Sequence, residues 1–212
     1  MDTQMIIMLC IIYSILLILI ILNIFVIVRH FKNKKRIQTN EVINEGNKIN
    51  LIDEIKKVKT IIKNNEFIDN SKYLSSGNKI FSSGKILVNS YGLFVINEFN
   101  DQGTQIEGDF NSREWFLHSN KDKVCINNLL WNLNKNIEML IPILPLNLPI
   151  VGILVFKSVS KFDINNYPSH LVFTNVENLC SLLYDIKKEL KPIISDENVV
   201  KIKELLRSKI VK

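Results

Sequence analysis

The sequence predicts an α/β domain, a mixed central sheet flanked by helices, behind one N-terminal membrane-spanning helix. Three observations predict the domain. Residues 150–156 (IVGILVF) form an unbroken apolar run, the pattern of a strand buried on both faces. Residues 85–89 (KILVN) and 93–97 (LFVIN) are short apolar runs joined by Ser90-Tyr91-Gly92, a hairpin connection. Before and after them, apolar residues recur at helical spacing. A buried strand among helices, following a hairpin meander, argues a mixed sheet with helices packed on it.

The membrane segment is the clearest element. Residues 5–28 hold 24 amino acids without a charge, preceded by a short N-terminus of residues 1–4. At ~1.5 Å per residue the stretch crosses a hydrocarbon core of about 30 Å. A cleaved leader fits badly, because MDTQ carries Asp2 and no cation, and no small-residue cleavage site comes after the apolar stretch. Directly after it stand Arg29, Lys32, Lys34, Lys35 and Arg36. Cations on that flank predict a cytoplasmic C-terminal side, with the N-terminus outside, and contact with lipid headgroups through residues 5–36.

That flank also explains the charge. The 212 residues carry 27 Lys and Arg against 21 Asp and Glu, a net +6. Without the five flank cations and Asp2, 22 basic residues face 20 acidic ones, a balance of +2. The basic character thus reports topology more than nucleic-acid binding. Seven Gly and five Pro exclude a collagen-like or Gly/Pro-rich disordered chain. Three Cys without a C-x-x-C pair exclude a disulfide scaffold and a zinc ribbon.

Residues 37–49 are polar and aperiodic, so residues 29–49 read as basic flank and linker. Asn50 can cap a helix that has Asp53 and Glu54 in its first turn and Leu51, Ile55, Val58, Ile61 and Ile62 on one side. A short strand is expected at 79–81, then the hairpin, a turn at 101–103, and strands near 104–107 and 115–118. Residues 124–140 show helical spacing from Ile126 through Leu140. Pro142, Pro145 and Pro149 stiffen the connector beyond it. After the buried strand come a strand at 171–174, a helix capped by Asn175 and stopped before Pro192, and a last helix from Ser195. The domain is taken as 50–190, with 191–212 as a C-terminal helix.

Residues 84–108, GKILVNSYGLFVINEFNDQGTQIEG, resemble the nuclease-related domain called NERD, of the PD-(D/E)xK nuclease-like superfamily. That family's core reads as an Asp before an apolar strand, then G-(I/L/V)-F-V-I-E-x-K-N, then G-x-I-x-G and a Trp. Tyr91 to Ile96 match the turn and strand, and Asn100, Gly103, Ile106, Gly108 and Trp115 match the later positions of the pattern. Glu54 sits where the family has a helical Glu, and Asn127 where it has the Asn of N-P-x-x-Q. The resemblance covers roughly residues 50–190 and implies a restriction-endonuclease-like fold. It also implies carboxylates converging on Mg²⁺, which would activate water and neutralise a scissile phosphate, with a Lys stabilising developing charge. Here the family's Asp falls at Gly84, its Glu at Asn97 and its Lys at Phe99. The Pro and Gln of the helix motif fall at Asn128 and Trp131.

The remaining catalytic candidates are Glu54, Asn97, Glu98 and Asp101. Strand alternation turns Glu98 away from Asn97 unless a bulge intervenes. His118 and His170 have no partner at recognisable spacing, and Cys125 reads as core on a helix face. Trp115, Phe116 and Trp131 read as core more than as base-stacking platforms. The last helix collects Lys201, Lys203, Arg207, Lys209 and Lys212 on one face.

These readings lead to a membrane-anchored, cytoplasm-facing NERD-like module without metal-dependent chemistry, acting by binding. A protein partner is favoured over nucleic acid by the weak charge of the soluble part. No cofactor is expected; Mg²⁺ enters only for the alternative, an active nuclease with relocated carboxylates. A structural membrane anchor is the third reading.

Overall fold

The computed structural model describes residues 50–75, 78–119, 122–145 and 148–211. The expected span 5–28, the basic flank 29–36 and most of the linker lie outside the described residues. Among the described residues, no helix is long and apolar enough to cross a membrane. One compact unit runs from Lys48 to Lys212.

The unit has the expected α/β character, with four α-helices and three sheets among the described residues. Helix α1, Leu51–Ile61, begins at Asn50, whose side chain accepts from the Ile52 N–H at 3.2 Å. The strands β1 (Glu66–Ile68), β4 (Lys85–Asn89) and β5 (Gly92–Phe99) form an antiparallel meander. Helix α2, Leu129–Leu140, then carries the chain to β9, Ile150–Phe156, which lies parallel to β5. Strand β11, Leu171–Asn175, adds parallel to β9, giving the order β1-β4-β5-β9-β11. Helix α3 spans Leu179–Glu189 and α4 spans Asp196–Ser208, the latter capped by Ser195.

This five-stranded sheet separates two apolar layers. Leu87, Phe94, Ile96, Ile153 and Val155 pack with α1 and α3. Ile86, Val88, Leu93, Val95, Leu154 and Phe156 face α2 and α4. The alternation along β5 follows from the period of two of a strand, and β9 is buried on both faces as its unbroken apolar run requires. Each fully buried Leu, Ile, Val or Phe stabilises the fold by about 1.5–3 kcal/mol. Helices α1 and α3 pack together, and Lys187 Nζ donates to the Ile61 carbonyl at 2.9 Å, satisfying a group the end of α1 leaves unpaired.

A second sheet, β10-β6-β7-β8, extends the core. It comprises β6 (Gln105–Asp109), β7 (Glu114–His118), β8 (Lys123–Asn127) and β10 (Lys161–Asn165). Strands β2 (Lys72–Leu74) and β3 (Ile80–Ser82) make a small hairpin.

Two expectations are corrected. Residues 124–140 are not one helix. Val124, Cys125 and Ile126 pair with β7, and Asn128, not a residue near 124, caps α2 by accepting from the Trp131 N–H at 3.1 Å. The Asn175 side chain accepts from Asn178 N–H and caps a 3-10 turn, so α3 starts only at Leu179. The C-terminal helix α4 places Val199, Ile202 and Leu206 in the main core and packs on β1 and β4.

Candidate functional site

Of the positions singled out by the resemblance, Gly84, Asn97 and Phe99 lie at one end of the five-stranded sheet. β4 and β5 are antiparallel with Lys85 opposite Ile96, so Gly84 stands beside Asn97. Gly84 has φ +75°, a left-handed backbone conformation that favours glycine. A Cβ there would overlap the Asn97 Oδ1 and lie 2.9 Å from the Ile96 carbonyl oxygen. The Asn97 amide therefore fills the space a side chain at residue 84 would need. Phe99, the next residue on that face, is buried and meets Phe156 edge-on at 5.6 Å between ring centroids. Neither group is ionic, and Phe99 belongs to the core.

Glu98 points the other way. The register of β5 with β9 runs without interruption through Phe99, so no bulge turns Glu98 toward Asn97. Its carboxylate accepts from Lys85 Nζ across the strand pair, and Lys85 also stands 4.0 Å from Asp69. Asp101 is exposed in the loop after β5. Glu54 is buried, in the first turn of α1, and pairs with the exposed Lys57 one turn on. Its neighbour across the helix pair is Cys180, whose thiol is pushed up by burial and then by the Glu54 charge.

Glu54, Glu98 and Asp101 thus have separate surroundings. Among the described residues, no three His, Cys, Asp or Glu side chains come within reach of one metal ion. A magnesium site needs several oxygen ligands, and Asn97 offers one amide oxygen next to a glycine.

The matched Gly108 and Trp115 have a packing role. A Cβ on Gly108 would lie 2.5 Å from the Trp115 ring, and the indole Nε1–H donates to the Asp109 carbonyl at 2.9 Å. The buried Asn128 amide donates to the carbonyls of Phe110 and Ser112 at 3.0 and 2.8 Å. Together these groups hold the 109–112 turn against the start of α2. Trp115 is core as expected, but Trp131 is 40% exposed and Phe116 is half-buried on the outer sheet face, under Lys123 Nζ at 4.1 Å.

Sequence spacing missed several polar contacts made by sheet register. His118 is not isolated: its Nε2 lies 3.0 Å from Glu107, which Lys123 approaches at 3.2 Å. These two neighbours hold the Glu107 carboxyl below its usual range, His118 contributing most. His170 Nε2 meets Asn134 Oδ1 at 2.9 Å, and the Asn134 amide donates to Glu138 at 2.7 Å. That chain borders an open cavity of about 520 Å³ walled by Ile137, Ile141, Leu144 and Ile150. Cys125 is exposed on β8 rather than in the core; desolvation and then Glu114 push its thiol up, away from the reactive thiolate. On α4, Lys203 pairs with Glu66 and Lys201 with Glu197, which takes two cations out of the expected basic face.

No protein-family model matches this chain, and a search of curated proteins finds no match.

Proposed function

We propose that this chain is a membrane-tethered, cytoplasm-facing module of the NERD kind, with a restriction-endonuclease-like core, that binds a partner and does not cleave nucleic acid. The carrying observation is the pair at the sheet end: Gly84 and Asn97 lie side by side where the resemblance expects two carboxylates. The order helix, three-strand meander, helix, strand in α1, β1-β4-β5, α2 and β9 supports the domain reading over a plain anchor. The relocated-carboxylate nuclease draws no support from Glu54, Glu98 and Asp101, which have separate surroundings. The near-neutral balance of the chain beyond the flank favours a protein partner over nucleic acid.

Two readouts test this. In intact cells expressing the chain, a membrane-impermeant maleimide should leave the exposed Cys125 unlabelled until the cells are lysed. Labelling before lysis would reverse the topology. Titration of residues 48–212 with Mn²⁺, followed by the free-ion paramagnetic signal, should show no stoichiometric site at millimolar metal. A one-to-one site lost in Glu54→Ala would restore the nuclease reading.

A further inference from the structure

The outer edge of the second sheet is a strand without a partner among the described residues. β8 is the last strand of the order β10-β6-β7-β8, and four of its five residues are exposed. Its hydrogen-bond phase is set by the register. The Asn128 N–H donates to the Arg113 carbonyl at 2.8 Å, and the Ser119 N–H to Asp122 at 2.8 Å, in line with the β7–β8 pairing. Hydrogen-bonded pairs recur every second residue, so Val124 and Ile126 direct their backbone N–H and C=O groups to β7. Lys123, Cys125 and Asn127 direct theirs to the open edge. Within β8 there is no proline, bulge or inward-pointing charge, and its single charge, Lys123, stands at the first position of the strand.

We infer that this edge pairs with the same edge of a second copy, in a twofold antiparallel arrangement centred on Cys125. The sequence of β8 is self-complementary under that operation. Val124 of one copy falls opposite Ile126 of the other on the core-facing side, apolar against apolar. Lys123 falls opposite Asn127, so no like charges meet. The Lys123 end of the hairpin comes beside the partner's Asn127 and Glu114, which lie opposite each other in the β7–β8 register. The open N–H and C=O groups of Cys125 pair with those of its twin. The contact is isologous and closes on itself, as a cyclic dimer requires. It does not depend on the nuclease resemblance.

The twin Cys125 thiols give the test. A hydrogen-bonded antiparallel pair sets its Cα atoms about 5.5 Å apart, within the range a disulfide spans. The full chain in detergent, carrying Cys10→Ser and Cys180→Ser, is treated with diamide. Each crosslink forms one Sγ–Sγ bond; two thiols give up two protons and two electrons, and diamide is reduced to its hydrazine. The expected result is a covalent dimer formed at least tenfold faster than in a control with Cys125→Ser and Glu197→Cys. Asn127→Pro removes an N–H that the fold leaves at the open edge, and it should bring the rate down to that of the control. Asn127→Lys sets like charges opposite each other and should slow crosslinking, and adding Lys123→Glu should restore it. A Cys125 rate equal to the control, or one untouched by both Asn127 variants, overturns the proposal.

Discussion

Replacing Gly84 with alanine probes the end of the sheet where the NERD resemblance expects carboxylates. The backbone there has φ +75°, and a Cβ in that conformation costs about 1–2 kcal/mol. The added methyl also overlaps the Asn97 amide and lies 2.9 Å from the Ile96 carbonyl oxygen. Crowding of this kind costs about 1–3 kcal/mol. Gly84→Ala should therefore destabilise the domain by about 2–5 kcal/mol. Urea unfolding of residues 48–212, followed by fluorescence of the buried Trp115, measures it. A double-mutant cycle with Asn97→Ala separates the two causes. Removing the amide should recover the crowding part, a coupling of about 1–3 kcal/mol, and leave the backbone part. Gly84→Asp should be penalised in the same way, so a single substitution would not rebuild the acidic site. A Gly84→Ala cost below about 0.5 kcal/mol, or strict additivity with Asn97→Ala, would refute the reasoning.

Further predictions concern the core. Tyr73 is fully buried and its hydroxyl has no hydrogen-bond partner among the described residues, so Tyr73→Phe should stabilise the domain by about 1–3 kcal/mol in the same unfolding assay. Burial pushes that hydroxyl up to about 12, above the value near 10 of an unfolded chain. The unfolded state then loses its proton first as pH rises, so stability present below pH 10 falls between pH 10 and 12, by about 3 kcal/mol in full. Tyr73→Phe should remove that part of the alkaline slope. Asn128→Ala removes the α2 cap and leaves the 109–112 carbonyls short of donors, for a loss of about 2–4 kcal/mol in urea. Lys57→Ala takes the cation from the buried Glu54 and should lower the melting temperature, and by less in a Glu54→Gln background.

Much of the fold was legible because local chemistry and tertiary packing agree. Asn50 and Ser195 cap the helices their positions announce, Ser90-Tyr91-Gly92 joins β4 to β5, and the 150–156 run is the buried strand β9. The split at Asn128 was hidden because Ile126, on a strand, falls in phase with the apolar stripe of α2. Strands β1 and β2 have three residues each, too short to show a period. β10 pairs in parallel with β6 at a separation of 56 residues, and no local signal encodes such a contact. The same distance effect hid the polar clusters. Glu107 meets His118 only through the β6–β7 register, and His170 meets Asn134 only because β11 begins beside α2. At the candidate site, alternation correctly set Glu98 opposite to Asn97, because β5 is regular. The closeness of Asn97 to Gly84 required the hairpin register, and the left-handed conformation of Gly84 required the structure.

The most direct test of the central claim, a nuclease-like domain that binds without cutting, is cleavage. Residues 48–212, shown to be folded, are incubated with single- and double-stranded DNA in Mg²⁺ or Mn²⁺, beside Glu54→Ala. The expected result is no metal-dependent cleavage by either protein. Metal-dependent cleavage by the parent domain, abolished in Glu54→Ala, would contradict that claim and require a catalytic site rebuilt around Glu54.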